Sequence, residues 1–124
     1  MSSTSQSRHH AIAYIELTAT DLAATKDFYA AVFGWRFNDY GPAYAGIVAA
    51  DGVGEAGGLN ATGEGTPGGS PLVLIYSDDL DATLAAVEAA GGRVTNGPYE
   101  FPGGRRFHFA DPSGNELGVW QDAG

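Results

Sequence analysis

The chain repeats itself. At an offset of 58, Asp21, Leu22, Ala24, Thr25, Ala31 and Gly34 fall on Asp79, Leu80, Ala82, Thr83, Ala89 and Gly92. At an offset of 60, Ala50, Asp51, Gly54 and Gly58 fall on Ala110, Asp111, Gly114 and Gly118. A period of this length asks for one supersecondary unit used twice, each copy burying an apolar face. Between the copies, Gly63 to Ser70 reads GEGTPGGS, a polar glycine-rich run with linker composition. The pattern therefore predicts a disordered head over 1–10, a first module over 11–62, a linker over 63–70 and a second module over 71–122.

Within the first copy, Ile12 to Leu17 is an apolar strand, and Asp21 caps a helix beginning at Leu22. Leu22, Thr25, Phe28, Tyr29 and Val32 fall at helical spacing, with Gly34 as the left-handed exit. The aromatic stripe Phe28, Tyr29 and Phe33 is expected to pack into the core. Short strands follow at Arg36 to Tyr40, Tyr44 to Ala49 and Ala56 to Asn60. The second copy predicts a strand at Leu72 to Tyr76 and a helix capped at Asp78-Asp79 and ended by Gly91-Gly92. A strand begins at Arg93, and Pro98 to Gly104 is read as a loop. Arg105 to Gln121 then forms a hairpin about the turn Asp111-Pro112-Ser113-Gly114-Asn115, with Phe107, Phe109, Leu117 and Val119 alternating against polar neighbours.

Composition narrows the partners. Fifteen acidic residues against six basic ones give a net charge of −9, which repels phosphate-bearing surfaces, so neither nucleic acid nor an anionic membrane is expected. With no cysteine there is no disulfide, thiolate metal site or cysteine nucleophile. No run is apolar and long enough for a signal peptide or a membrane span, so the expected address is cytoplasmic. Gly52, Gly54 and Gly57 spell a G-x-G-x-x-G run, but it leads into a strand rather than opening a helix and is set aside as a dinucleotide fingerprint.

Two βαβββ units in this order resemble the vicinal oxygen chelate superfamily, which includes glyoxalase I, bleomycin-resistance proteins, fosfomycin-resistance enzymes and extradiol dioxygenases. The residues that carry the resemblance are Asp21-Leu22, Phe28-Tyr29, Phe33-Gly34-Trp35, Asp79-Leu80, Gly91-Gly92 and Asp111 to Asn115. The resemblance implies an α+β fold, with two tandem βαβββ modules forming an open eight-stranded barrel-like sheet around a cavity, helices outside. It also implies a homodimer.

Catalytic members of that family hold a divalent metal with His, Glu or Gln from the first and last strands of each module. The matching positions here are Tyr14, Leu72, Gly58 and Gly118. Leucine and glycine have no ligating side chain and a neutral phenol is a poor ligand, so neither a metal nor another cofactor is expected. Glycine at 58 and 118 is expected instead to leave room for a larger ligand.

Strand alternation supplies the candidate site. If Tyr14 faces the cavity, so does Glu16; if Gly118 does, so do Glu116 and Trp120; Leu72 and Leu74 line it from the second copy. The ligand-binding set is therefore Tyr14, Glu16, Leu72, Leu74, Glu116 and Trp120. Glu16 is the candidate acid or base, or the partner of a cationic group; the competing reading has it bonded to a backbone amide or at a solvated rim. His108 is a second catalytic candidate, against a packed or surface histidine. Arg105 and Arg106 either fork a carboxylate or end a strand in solvent, and His9-His10 are expected to be solvated.

The functional expectation is a glyoxalase- and bleomycin-resistance-like protein binding a small organic molecule in an aromatic, acidic cavity without metal. The alternative is a metal-independent lyase or isomerase using Glu16, with Tyr14 or His108 assisting. A third is a metal-dependent glyoxalase or dioxygenase with displaced ligands.

Overall fold

The computed structural model describes residues 9–63 and 71–123. The linker expected at 63–70, beyond Gly63, and the first eight residues of the expected head lie outside that range. The chain divides into two compact units, residues 14–72 and residues 73–123 with 9–13.

Both units use the same plan. The first module runs β1 (Ile12–Thr18), α1 (Leu22–Phe33), β2 (Phe37–Asp39), β3 (Tyr44–Val48) and β4 (Glu55–Asn60). The second runs β5 (Leu72–Tyr76), α2 (Leu80–Ala89), β6 (Arg93–Phe101), β7 (Gly104–Ala110) and β8 (Glu116–Asp122). In the first, β1 pairs in parallel with β4, and β4, β3 and β2 follow antiparallel. In the second, β5 pairs in parallel with β8, and β8, β7 and β6 follow antiparallel. Two βαβββ modules, with eight strands and two helices among the described residues, make this the α+β fold that the repeat implied.

The repeated Asp-Leu pairs do the same work in each copy. Asp21 accepts the Ala24 N–H at 3.0 Å and Asp79 accepts the Ala82 N–H at 3.1 Å, each satisfying a donor that an uncapped helix would leave open. Gly34, at φ 71°, closes α1 in the left-handed region. In the β7–β8 turn, Asp111 Oδ1 accepts the N–H groups of Ser113 and Asn115, both at 2.9 Å. The Asn115 side chain, followed by these backbone donors, holds the Asp111 carboxyl below its ordinary range.

Each sheet buries one face against its helix. In the first module Ala19, Ile47 and Leu59 form the core, with Leu17, Leu22, Trp35 and Phe37 packed on it. In the second, Leu80, Phe107 and Val119 play that part, with Leu84, Val87, Val94 and Phe109.

Three expectations need correction. Two of the three α1 aromatics are not core: Phe28 is 56% exposed and Phe33 61%. The helix turns Leu22, Thr25, Lys26 and Tyr29 inward, and Phe28 lies too far round the axis to follow. Nor is Pro98 to Gly104 a loop, since β6 continues to Phe101 and pairs with β7 as far as Gly104. Its glycine and proline are tolerated because β6 ends its sheet and shifts register at Val94/Asn96 and Asn96/Tyr99. Finally, His9 and His10 are exposed but bonded: His9 Nδ1 accepts the Asp78 N–H at 2.9 Å, and His10 Nε2 lies 3.0 Å from Thr83 Oγ1.

Candidate functional site

The polar groups of the first module gather on the sheet face away from α1. Register sets this, because directly paired residues share a face. Asn38, Gly46, Gly58 and Glu16 form one row across β2, β3, β4 and β1, and Tyr44, Asn60 and Thr18 form the next. A β-bulge between Ile47 and Val48 brings Glu55 onto the same face.

Glu16 is the centre of this face. It is 5% exposed, and both its oxygens accept: Oε2 from the Tyr44 hydroxyl at 2.9 Å and Oε1 from Asn60 Nδ2 at 3.3 Å. Hydrogen bonds to a carboxylate compensate the burial of its charge. The solvated-rim reading of Glu16 gives way to a buried carboxylate that the Tyr44 and Asn60 side chains both bond. Tyr44 also meets the Tyr14 hydroxyl at 2.9 Å. Beside them, Glu55 Oε2 accepts from the Tyr40 hydroxyl and, at 2.9 Å, from Asn38 Nδ2.

The two glycines of the row make this arrangement possible. A Cβ at Gly58 would stand 2.1 Å from the Tyr44 hydroxyl and 2.6 Å from that of Tyr14. One at Gly46 would stand 2.1 Å from Glu55 Oε2. The phenols and the Glu55 carboxylate thus lie over a glycine shelf on neighbouring strands.

Burial, more than any neighbour, pushes the Tyr14 phenol up to about 12 from its ordinary 10.0, with the Glu55 and Glu16 charges adding to it. Burial and then the Glu16 charge raise Tyr44 further, and the bond to Glu55 raises Tyr40. All three phenols stay neutral at physiological pH. The native state holds Tyr14 protonated while the unfolded chain ionises it above pH 10, so its stabilisation is complete below pH 10 and lost toward pH 12. Urea midpoints should fall over that window, and Tyr14→Phe should fall less steeply; equal slopes would show that Tyr14 contributes nothing.

The second module carries its own polar face. Tyr99 Oη lies 2.9 Å from His108 Nε2, and Arg106 Nε donates to the same phenol oxygen. His108 Nδ1 is 3.6 Å from Glu116 Oε2, which also accepts from Thr95 Oγ1 at 3.1 Å. Trp120 sits edge-on to Tyr76, and Leu72 and Leu74 are buried. Arg105 pairs with Asp81 at 3.3 Å and Arg106 lies 5.5 Å from the Tyr99 and Phe101 ring centres, so the two arginines do not act as one fork.

The candidates therefore fall into two clusters, Tyr14 with Glu16 in the first unit and His108 with Glu116 in the second. Tyr44, Asn60 and Glu55, which sequence reasoning missed, complete the first. The alternation Tyr44-Ala45-Gly46-Ile47 was the available signal.

Room at the glycines is the expectation the structure overturns. The phenols fill the space over Gly58, and Leu74 Cδ2 would lie 2.5 Å from a Cβ at Gly118. The same geometry tests the family's metal: Tyr14 is a neutral phenol, Leu72 is a buried alkyl group, and the other two positions are occupied glycines. Among the described residues no three His, Asp or Glu side chains converge. These residues do not fit the metal.

The Glyoxalase/Bleomycin resistance protein/Dioxygenase superfamily model matches residues 11–119. CFP32 of Mycobacterium tuberculosis, whose name proposes a glyoxylase, is 32% identical over 115 residues, covering 87% of this chain and 44% of CFP32. The anthracycline biosynthesis protein DnrV of Streptomyces peucetius is 32% identical over 134 residues, covering 88% and 46%. The chain spans about half the length of the curated relatives it matches. A Mn(II)-bound glyoxalase from Novosphingobium aromaticivorans superposes with a TM-score of 0.65 at 28% identity, over 93% of this chain and 40% of that one. With 109 consecutive residues, 11 to 119, matched by the family model and the duplicated βαβββ plan in place, the chain belongs to the Glyoxalase/Bleomycin resistance protein/Dioxygenase superfamily.

Proposed function

We propose that the chain binds a small organic molecule on the polar face of its first module and does so without the family's divalent metal. The observation that carries this is the run Tyr14–Tyr44–Glu16–Asn60, a buried carboxylate linked through two phenols to the face away from the helix. A carboxylate only 5% exposed and bonded by side chains from two other strands, where an apolar residue would be the ordinary occupant, is a candidate functional group. Kinship with a protein named for anthracycline biosynthesis supports an organic ligand. Calorimetric titration with aromatic amines, amino alcohols and cationic glycopeptides should give saturable binding that Glu16→Ala removes. No saturable heat with any of them, or binding that Glu16→Ala leaves intact, would reject the assignment. Stoichiometric manganese, nickel or zinc in protein purified without a tag would overturn the metal-free part. A second copy of the chain is the proposed partner, checked by sedimentation.

The second reading is a metal-independent lyase or isomerase. The hydrogen-bonded path from Glu16 to Tyr14 favours it, because a base can act through phenols that it does not itself leave exposed.

A further inference from the structure

The hydrogen bonds of this network have a direction. Asn60 Oδ1 accepts from the Thr62 backbone N–H at 2.9 Å and from Thr62 Oγ1 at 2.6 Å. A backbone N–H can only donate, so the amide oxygen must face Thr62 and the amide nitrogen must face Glu16. Glu16 Oε1 is then an acceptor, and Oε2 takes the Tyr44 proton. A phenol has one proton to give. Tyr44 has spent its own on Glu16, so the 2.9 Å contact between the phenols is Tyr14 donating to Tyr44. Tyr14, at the end of the run, is left with lone pairs and no proton to offer. The Glu55 and Glu16 charges that act on it add negative potential at the same place.

We infer that this face selects its ligand through a hydrogen-bond donor, an ammonium or hydroxyl group delivered to the Tyr14 oxygen, with Tyr44 as the positioning residue that fixes the polarity. The inference rests on the binding function proposed above and names the chemistry that function takes. Cationic charge alone is not the criterion: a quaternary ammonium has the charge but no proton to donate.

The polarity can be reversed by one substitution. In Glu16→Gln the new amide oxygen would accept from Asn60 and the new N–H would donate to the Tyr44 oxygen. Tyr44 would then donate to Tyr14, and Tyr14 would present its proton outward. The same face would change from acceptor to donor with almost no change of shape.

Calorimetry with benzylamine, benzyltrimethylammonium and acetophenone reads this directly. The wild-type protein should bind benzylamine, as its ammonium, at least about tenfold more tightly than benzyltrimethylammonium, the scale of one hydrogen bond to a charged group. In Glu16→Gln that preference should vanish, and acetophenone, which can only accept, should bind more tightly than it does to the wild type. Tyr44→Phe, which breaks the chain but leaves both ends, should show neither preference, and circular dichroism would establish that each variant is folded. Equal wild-type affinity for benzylamine and benzyltrimethylammonium would overturn the donor rule while leaving the binding function standing. Absence of binding by all three probes, together with no saturable heat from the amino alcohols and glycopeptides, would overturn both.

Discussion

Gly57→Ala is expected to lower stability by about 3 kcal/mol or more, a large part of the whole for a domain of this size. A Cβ at Gly57 would stand 2.0 Å from the Ile15 carbonyl oxygen and 3.0 Å from its carbon. Those are backbone atoms of β1, held by the parallel pairing in which Ile15 and Gly57 are partners. No rotamer change can relieve the overlap; β1 and β4 would have to separate, and the Ala19, Ile47 and Leu59 core is built on that pairing. The urea midpoint should fall sharply with an unchanged slope, because the surface exposed on unfolding stays the same. A loss under about 1 kcal/mol would show that the strands can part cheaply, since overpacking a well-filled core ordinarily costs more.

How much of this was legible beforehand depended on how local each cause is. The Asp21 and Asp79 caps and the Asp111 turn bond within four residues, so their chemistry shows in the sequence. The duplication placed the helices and most strands for the same reason, because each copy repeats its own caps and exits. The site was less legible, since Tyr44 reaches Glu16 across 28 residues and Asn60 across 44. That meeting depends on strand register, and a slip of one residue would turn Tyr44 to the other face. Alternation could pair Tyr14 with Glu16 on one strand but could not say which neighbour would supply the donors.

The glycines were misread for a related reason. A missing side chain looks like space from the sequence, whereas at Gly58 and Gly118 the space belongs to the two phenols and Leu74. The α1 stripe failed differently. Periodicity defines an apolar face, but not how wide a sheet surface will cover it, and Phe28, Val32 and Phe33 remain outside.

Gly58→Ala should have the opposite consequence to its neighbour: the fold survives and the site is lost. The added methyl meets the ends of two side chains, the Tyr44 hydroxyl at 2.1 Å and the Tyr14 hydroxyl at 2.6 Å, rather than backbone. Tyr44 can swing aside, but it then gives up its bonds to Glu16 and Tyr14. Losing a hydrogen bond to a charged group costs about 1.5 to 3 kcal/mol, so stability should fall by less than in Gly57→Ala while ligand affinity falls at least about tenfold. Glu16 keeps Asn60 but no longer communicates with Tyr14, so any preference for benzylamine over benzyltrimethylammonium should disappear with the affinity. Adding Tyr44→Phe to Gly58→Ala removes the hydroxyl that the methyl displaces. If the phenols are what the glycine accommodates, the double variant should be no less stable than Gly58→Ala alone, a coupling that a double-mutant cycle measures. Simple additivity of the two losses would mean that Gly58 is glycine for some reason other than the phenols above it.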